Sequence, residues 1–252
     1  MNSLKPKSTV EEIRARFDGD VERFSSLETG QQALPDAALV LELIAKAAHT
    51  HLHSGDTVLD LGCGAGNLTL RVMSEVGPLE SHLVDLSLPM LERAQQRVND
   101  GGALKSSIHQ SDMRELNFPE ASFDAVFAAA ALHHLREDEE WEAMFAKIWK
   151  WLKPGGYLYV SDFVIFDHPK IYEIMWASYG DYLTGLGGEE YRDKVFEYIE
   201  IEDTPRSLAY QLELCHRSGF ASSDVLHRNG VFVAYFAKKC IHALIGQKST
   251  QE

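Results

Sequence analysis

Three glycines at alternate positions, Gly62, Gly64 and Gly66, stand directly after an apolar run that contains an acid, Val58-Leu59-Asp60-Leu61. Glycines so spaced let the backbone turn sharply and approach a ligand, and the unpaired amides of a following helix can then meet it. Such a turn also occurs with no ligand, so its neighbours decide. Asp85 closes the next apolar run 19 residues after Gly66, near the spacing at which a carboxylate accepts hydrogen bonds from both ribose hydroxyls. Together they point to an adenosine-type ligand. A dinucleotide enzyme would place its third glycine one position later, where Asn67 stands, so no pyrophosphate grip is expected. His133 and His134 follow a later apolar run, and His133 is the candidate catalytic residue, removing a proton from an acceptor or orienting it. The alternative for the pair is a packed wall. A two-histidine metal site is not expected, because adjacent residues point apart and no Glu or Cys completes a set.

The elements that must hold these residues alternate. Thr57 to Leu61, His82 to Leu86, Ser107 to Gln110, Phe123 to Ala129 and Tyr157 to Asp162 read as strands. Helical patterns run over Asn67 to Glu75, Pro89 to Asn99 and Asp138 to Leu152, the last ended by Lys153-Pro154-Gly155-Gly156. Alternation of this kind predicts a mostly parallel sheet with helices on both faces. Ahead of it lie an amphipathic helix from Val10 to about Leu27, interrupted at Gly19, and a helix from Ala37 to His49 with Leu39, Val40, Leu43, Ile44 and Ala47 on one face. Behind it, residues 163 to 206 carry nine Phe, Tyr and Trp residues around Gly185, Gly187 and Gly188 and read as a helical insertion. Those aromatics either cover an apolar acceptor or form core. Leu208 to His216 is a helix, and Val225 to Arg228 and Val231 to Ala237 form a hairpin turning at Asn229-Gly230.

Val58 to Gly66 resembles the first motif of the class I S-adenosylmethionine-dependent methyltransferases. Asp85 resembles their ribose-binding acid, Ser111-Asp112-Met113 their adenine-contacting acid and its apolar neighbour, and Phe123-Asp124-Ala125-Val126 their fourth strand. Leu152-Lys153-Pro154-Gly155-Gly156 is similar to their turn into strand five. The resemblance implies a Rossmann-like α/β fold: a seven-stranded sheet with helices on both faces, an antiparallel last strand and a helical insertion between strands five and six. It implies S-adenosylmethionine as cofactor, S-adenosylhomocysteine as product, and no metal. Position by position, it gives Asp60 the glycine loop and the ligand's ammonium, and Gly62, Cys63 and Gly64 the methionine part. Asp85 and Leu86 fall at the ribose, Asp112 at the adenine amino group, Met113 against the ring, and the Ala128 carbonyl near the ammonium. His133 would border the sulfonium. The expected units are a helical cap over 1–53, the cofactor-binding core over 54–162, the insertion or substrate lid over 163–206, the final helix and hairpin over 207–240, and a tail over 241–252, frayed from Gln247 to Glu252.

Lys and Arg number 24 against 38 Asp and Glu, a net charge of -14, so a nucleic acid would have to bind against a negative average field. Ala129-Ala130-Ala131 also stands where enzymes that methylate amino groups of nucleic-acid bases carry an Asn-Pro-Pro-Tyr-like run. A small-molecule acceptor is therefore expected. Cys63, Cys215 and Cys240 form neither a disulfide framework nor a zinc motif. With no signal-like start and no run of roughly 18 apolar residues, a cytoplasmic, membrane-free protein is expected, with the amino-terminal helices as a candidate homodimer contact. A second resemblance, at Phe17-Asp18, Pro35 and Leu208 to Phe220, is to the carboxy-S-adenosylmethionine synthases of tRNA wobble-uridine modification. Their hallmark is an arginine in the insertion, for which Arg192 and Arg206 are the candidates; the tyrosine they carry before the first strand is missing from 25 to 50. A third alternative is a non-catalytic protein that senses the cofactor.

Overall fold

The structure, a computed structural model, describes residues 6–26 and 32–241; the expected end of the first helix at Leu27 and the fraying from Gln247 lie outside them. Seven strands form one sheet: β1 Thr57–Leu61, β2 Glu80–Asp85, β3 Lys105–Gln110, β4 Phe123–Ala129, β5 Leu152–Phe163, β6 Phe220–Asn229 and β7 Phe232–Lys239. Their order is β3-β2-β1-β4-β5-β7-β6, with β7 antiparallel to both neighbours and the other described pairings parallel. The alternation predicts its mostly parallel part, and the resemblance implies the whole Rossmann-like seven-stranded sheet with its antiparallel last strand. The helices are α1 Val10–Gly19, α2 Val21–Ser25, α3 Ala37–His49, α4 Asn67–Val76, α5 Leu88–Asp100, α6 Asp138–Trp151, α7 Pro169–Glu202 and α8 Leu208–Arg217.

Side-chain alternation along β1 sorts the core into two layers. Leu59 and Leu61 pack with Trp141, Phe145 and Ile148 of α6 and Leu214 of α8. Val58 packs on the opposite face with Ile44 of α3, Val72 of α4 and Leu91 of α5. Asp60 follows Val58's face, which turns its carboxylate toward Thr69 on α4.

Several boundaries move from their expected places. On α3 the buried stripe is Val40, Leu41, Ile44, Ala45 and Ala48, one residue on from the expected Leu39-centred face, and Leu39 is 46% exposed. The helix enters through Asp36 at φ 60°, where the carboxylate accepts from Asn229 and His227 of the hairpin instead of capping the helix. Lys153-Pro154-Gly155-Gly156 is not a loop: β5 begins at Leu152, directly after α6, and shifts register between Phe123 and Ala125 of β4. Asn229 pairs with Phe232, so the hairpin turns at Gly230-Val231, with the positive φ of 55° at Gly230.

The insertion is a long helix broken at Gly188, whose φ of 81° and ψ of 179° no helix can hold. Its aromatics pack on one another and on the hairpin. Trp176 stacks on Phe196 with centroids 4.2 Å apart, and Tyr179 meets Phe232 edge-on at 5.1 Å. They form a third small core, which decides between the two expectations in favour of packing.

Candidate functional site

The carboxyl ends of parallel strands, where the chain leaves for a helix, are where open α/β sheets place ligands. β1 leaves through the glycine turn. Gly62 (φ 66°), Gly64 (φ 49°) and Gly66 (φ 81°) are all left-handed, and the sign of φ alone excludes most other residues. Gly62 is also pressed on Ala131, since a Cβ there would lie 2.6 Å from the alanine's Cβ. At Gly64 a Cβ would meet nothing within 4 Å, so the backbone of the turn borders open space there.

Two buried acids flank the turn. Asp85, at the end of β2, accepts from the Gly64 amide and the Ser87 amide, each at 2.9 Å, one to each oxygen. These bonds position the glycine loop and leave lone pairs unused on both oxygens. Burial raises the Asp85 pKa despite them. Asp60 is fully buried and accepts from the Thr69 hydroxyl at 2.6 Å. Burial first, with the nearby Asp85 charge adding to it against the Thr69 bond, pushes its pKa up to about 7. A cation placed there would be welcome. Burial likewise holds the Cys63 thiol well above its ordinary range, so it stays protonated.

β3 leads to Asp112, which caps a 3₁₀ turn over Met113–Glu115 by accepting from the Arg114 amide at 2.9 Å. The Arg114 guanidinium grips the same carboxylate from two nitrogens and reaches Glu140 at 2.9 Å. Burial opposes ionisation of Asp112, but the Arg114 bonds outweigh it and lower the pKa.

One cavity of about 1210 Å³, counted out to its open mouth, joins these parts. Of the expected cofactor residues, Asp60, Gly62, Cys63, Gly64, Asp85, Leu86, Asp112 and Met113 line it. Ala128 does not: it is fully buried, and Ala129, Ala130 and Ala131 line the wall beyond it. The opposite wall is apolar and comes from Val10, Ile13, Phe17, Phe24 and Leu34. No residue of 163–206 lines it, so the wall expected of the insertion is supplied by the amino-terminal helices. Helical spacing marks Ile13, Phe17 and Phe24, but spacing alone does not tell a cavity wall from core.

α1 is fixed from both ends. Thr9 and Glu12 form a reciprocal cap, Thr9 Oγ1 accepting from the Glu12 amide and the Glu12 carboxylate from the Thr9 amide. Arg16 donates to Glu202 at 2.8 and 2.7 Å and to the Tyr198 hydroxyl at 2.9 Å, and the Ser8 amide donates to the Ile201 carbonyl at 2.9 Å. The insertion thus buttresses the wall from behind.

β4 ends in a 3₁₀ turn over Leu132–His134. His133 is buried and faces away from the main cavity, lining a smaller one beside Asp162 and Phe232. Its amide donates to Asp162 Oδ2 at 3.0 Å, and its Nδ1 meets Asp162 Oδ1. Its Nε2 lies 3.6 Å from Asp203 Oδ1, which arrives from just past α7. Burial would depress the His133 pKa, but Asp203 and Asp162 push it up to about 9, while burial pushes Asp203 up to about 6. The ring that lines the main cavity is that of His134, which burial and then the neighbouring His133 keep neutral. The two rings do not point apart, because they sit in a tight turn rather than on a strand: their centroids are 4.4 Å apart. Neither Asp162 nor Asp203 is marked by spacing, since each meets the histidines only in the fold.

The arginines sought in the insertion lie elsewhere. Arg192 is at the surface on Asp193, and Arg206 binds Asp138 at 2.8 Å and backbone carbonyls, neither lining the cavity. Arg136 does line it, donating to the Ser8 carbonyl.

A Rossmann-like sheet with a glycine turn, an acid at the end of β2 and an antiparallel seventh strand is the architecture that the resemblance to the class I methyltransferases implies. The methyltransferase domain family matches residues 58–156, in agreement with the class I S-adenosylmethionine-dependent methyltransferases that the motifs resemble. It is 29% identical over 198 residues to the demethylmenaquinone methyltransferase of Lactiplantibacillus plantarum, covering 76% of this chain and 82% of that one. It is 25% identical over 202 residues to the carboxy-S-adenosyl-L-methionine synthase of Shigella boydii, covering 77% and 79%. Among solved structures, phosphoethanolamine N-methyltransferase 2 of Haemonchus contortus, in complex with phosphomonomethylethanolamine and S-adenosylhomocysteine, superposes with a TM-score of 0.61 at 20% identity. That match covers 86% of this chain and 46% of the worm protein, and shows the shared fold. Among the described residues, no helix is long and apolar enough to cross a membrane.

Proposed function

We propose that this protein transfers a methyl group from S-adenosylmethionine to a small, largely apolar acceptor. The observation that carries this is the cavity itself: an apolar wall from Val10, Ile13, Phe17, Phe24 and Leu34 stands opposite the glycine turn and its two acids. The donor set fits the cofactor. Asp85 has lone pairs for two ribose hydroxyls, Asp60 is a buried acid suited to an ammonium, and Gly64 borders open space. Asp112, set in place by Arg114, stands for the adenine amino group, with the polarizable Met113 sulfur against the ring.

Bound S-adenosylmethionine supplies an electrophilic methyl carbon. The residues of this chain have three tasks toward it: the glycine turn and Asp85 fix the cofactor's pose, the apolar wall aligns the acceptor, and the buttressed α1 keeps water out. In-line displacement asks for little acid–base machinery. The negative net charge agrees with a small acceptor over nucleic acid.

A carboxy-S-adenosylmethionine synthase is the second reading, supported by that relative and by Arg136, a cavity-lining guanidinium of the kind an added carboxylate requires. Mass spectrometry of the small molecule released on denaturing the purified protein separates the two. S-adenosylmethionine or S-adenosylhomocysteine, followed by turnover in an acceptor screen, is the expected result. The carboxylated cofactor would replace the first reading with the second, and a protein that is empty and fails to bind added S-adenosylmethionine would end both.

A further inference from the structure

Behind the cavity wall at His134, three ligating atoms converge from two distant parts of the chain. Asp203 Oδ1 lies 3.6 Å from His133 Nε2 and 3.5 Å from His134 Nδ1, and all three atoms fall within 4.8 Å of one another. The side chains are 4%, 8% and 16% exposed, respectively. Asp203 Oδ1 and His134 Nδ1 are buried with no hydrogen-bond partner, which costs a folded protein unless something else binds there. The separations are too long for good hydrogen bonds. They suit a shared ion: the in-plane point equidistant from three atoms so spaced lies about 2.0–2.4 Å from each, overlapping zinc–nitrogen and zinc–oxygen bond lengths.

The surroundings match. Asp162 Oδ1 faces His133 Nδ1, the arrangement in which a carboxylate accepts a hydrogen bond from the N–H of one imidazole nitrogen and leaves the other free as a ligand. Two imidazoles and one carboxylate are a borderline donor set that suits zinc and its first-row neighbours better than calcium or magnesium.

We propose that His133 Nε2, His134 Nδ1 and Asp203 Oδ1 form a site for a divalent transition metal, zinc first among them, beside the stretch of cavity wall that His134 lines. Three protein donors leave a coordination position open for water or an acceptor atom. The site ties the end of the insertion to the turn after β4, where the Thr204 amide already donates to the His133 carbonyl at 2.7 Å.

The full-length protein is stripped with a chelator, dialysed, and titrated with zinc alone in competition with a chromophoric chelator. One equivalent bound at micromolar affinity or tighter is expected, with a zinc-dependent rise in melting temperature. His134→Gln, at the cavity wall, and Asp203→Asn should each weaken that binding by about a hundredfold while retaining cooperative unfolding. Cobalt(II) in the parent protein should give the intense visible bands of a four-coordinate site, absent in both variants. No stoichiometric binding would overturn the proposal and leave a buried ion-pair triad. Binding that survives both substitutions would overturn it too, placing the metal on other histidines. If Asp203→Asn fails to fold, His134→Gln decides alone.

Discussion

The two sides of the cavity are built by different rules. On the cofactor side, the glycine turn, Asp85 and Asp112 each sit at the end of a strand, and each is held by a bond that spans few residues or one neighbouring loop: Gly64 to Asp85, Ser87 to Asp85, Arg114 to Asp112. On the side of the amino-terminal helices, contacts reach across most of the chain, as Arg16 to Glu202 does across 186 positions. Local geometry leaves a signature in sequence, while a contact between two ends leaves none. Enzymes of one cofactor and many acceptors divide in this way, because the half that must stay constant is the half that short-range turns specify.

If the cofactor side is rigidly specified, Gly62→Val should show it most severely. Its φ of 66° and the 2.6 Å approach to Ala131 leave no accommodation, so a loss of about 3 kcal/mol in stability is expected, with S-adenosylhomocysteine affinity falling more than a hundredfold by calorimetry. A folded variant of normal affinity would remove the turn from the site.

Arg16→Ala probes the other side and should do the reverse. It strands Glu202, whose side chain is 5% exposed, and about 2 kcal/mol of stability should go, discounted for the partial exposure of Arg16 itself. Acceptor KM should rise about tenfold while S-adenosylhomocysteine affinity stays within about twofold. Equal losses of both would mean that the two sides are one unit.

The smallest effect sharpens the comparison to one proton. Asp60, with a pKa pushed to about 7, is mostly protonated in the free protein below that value, whereas a bound ammonium favours the carboxylate. Binding then releases a proton, so S-adenosylhomocysteine affinity should rise with pH through 7, by about tenfold from pH 6 to 8. Asp60→Asn should flatten the profile. A flat profile in the parent protein would take the ammonium away from Asp60.

Much of the fold was legible. Strands β1 and β4 end where apolar runs end, and alternation with helices is enough to call a doubly covered parallel sheet. The misses have local causes. The α3 stripe slipped by one residue because Leu39 and Leu41 are equally apolar, and only the direction in which the helix meets α4 distinguishes them. The Lys153-Pro154-Gly155-Gly156 run carries turn residues yet begins a strand, since Gly156 is squeezed against the Asp124 carbonyl, where a Cβ would stand at 2.9 Å. At the site, glycines and acids at strand ends were visible, whereas Asp162 and Asp203 were not: nothing in their neighbours says that both end beside one histidine.

The clasp between α1 and the end of the insertion also has a consequence for how the protein is made. Lys7, Ser8 and Arg16 are made 186 to 193 residues ahead of their partners Glu200, Ile201 and Glu202. Throughout synthesis, therefore, the strand-end acids can form and meet cofactor while the apolar faces of the amino-terminal helices wait for their anchor. The cavity wall that α1 contributes is therefore fastened only once residues 198–203 have been made and have folded back onto the start of that helix.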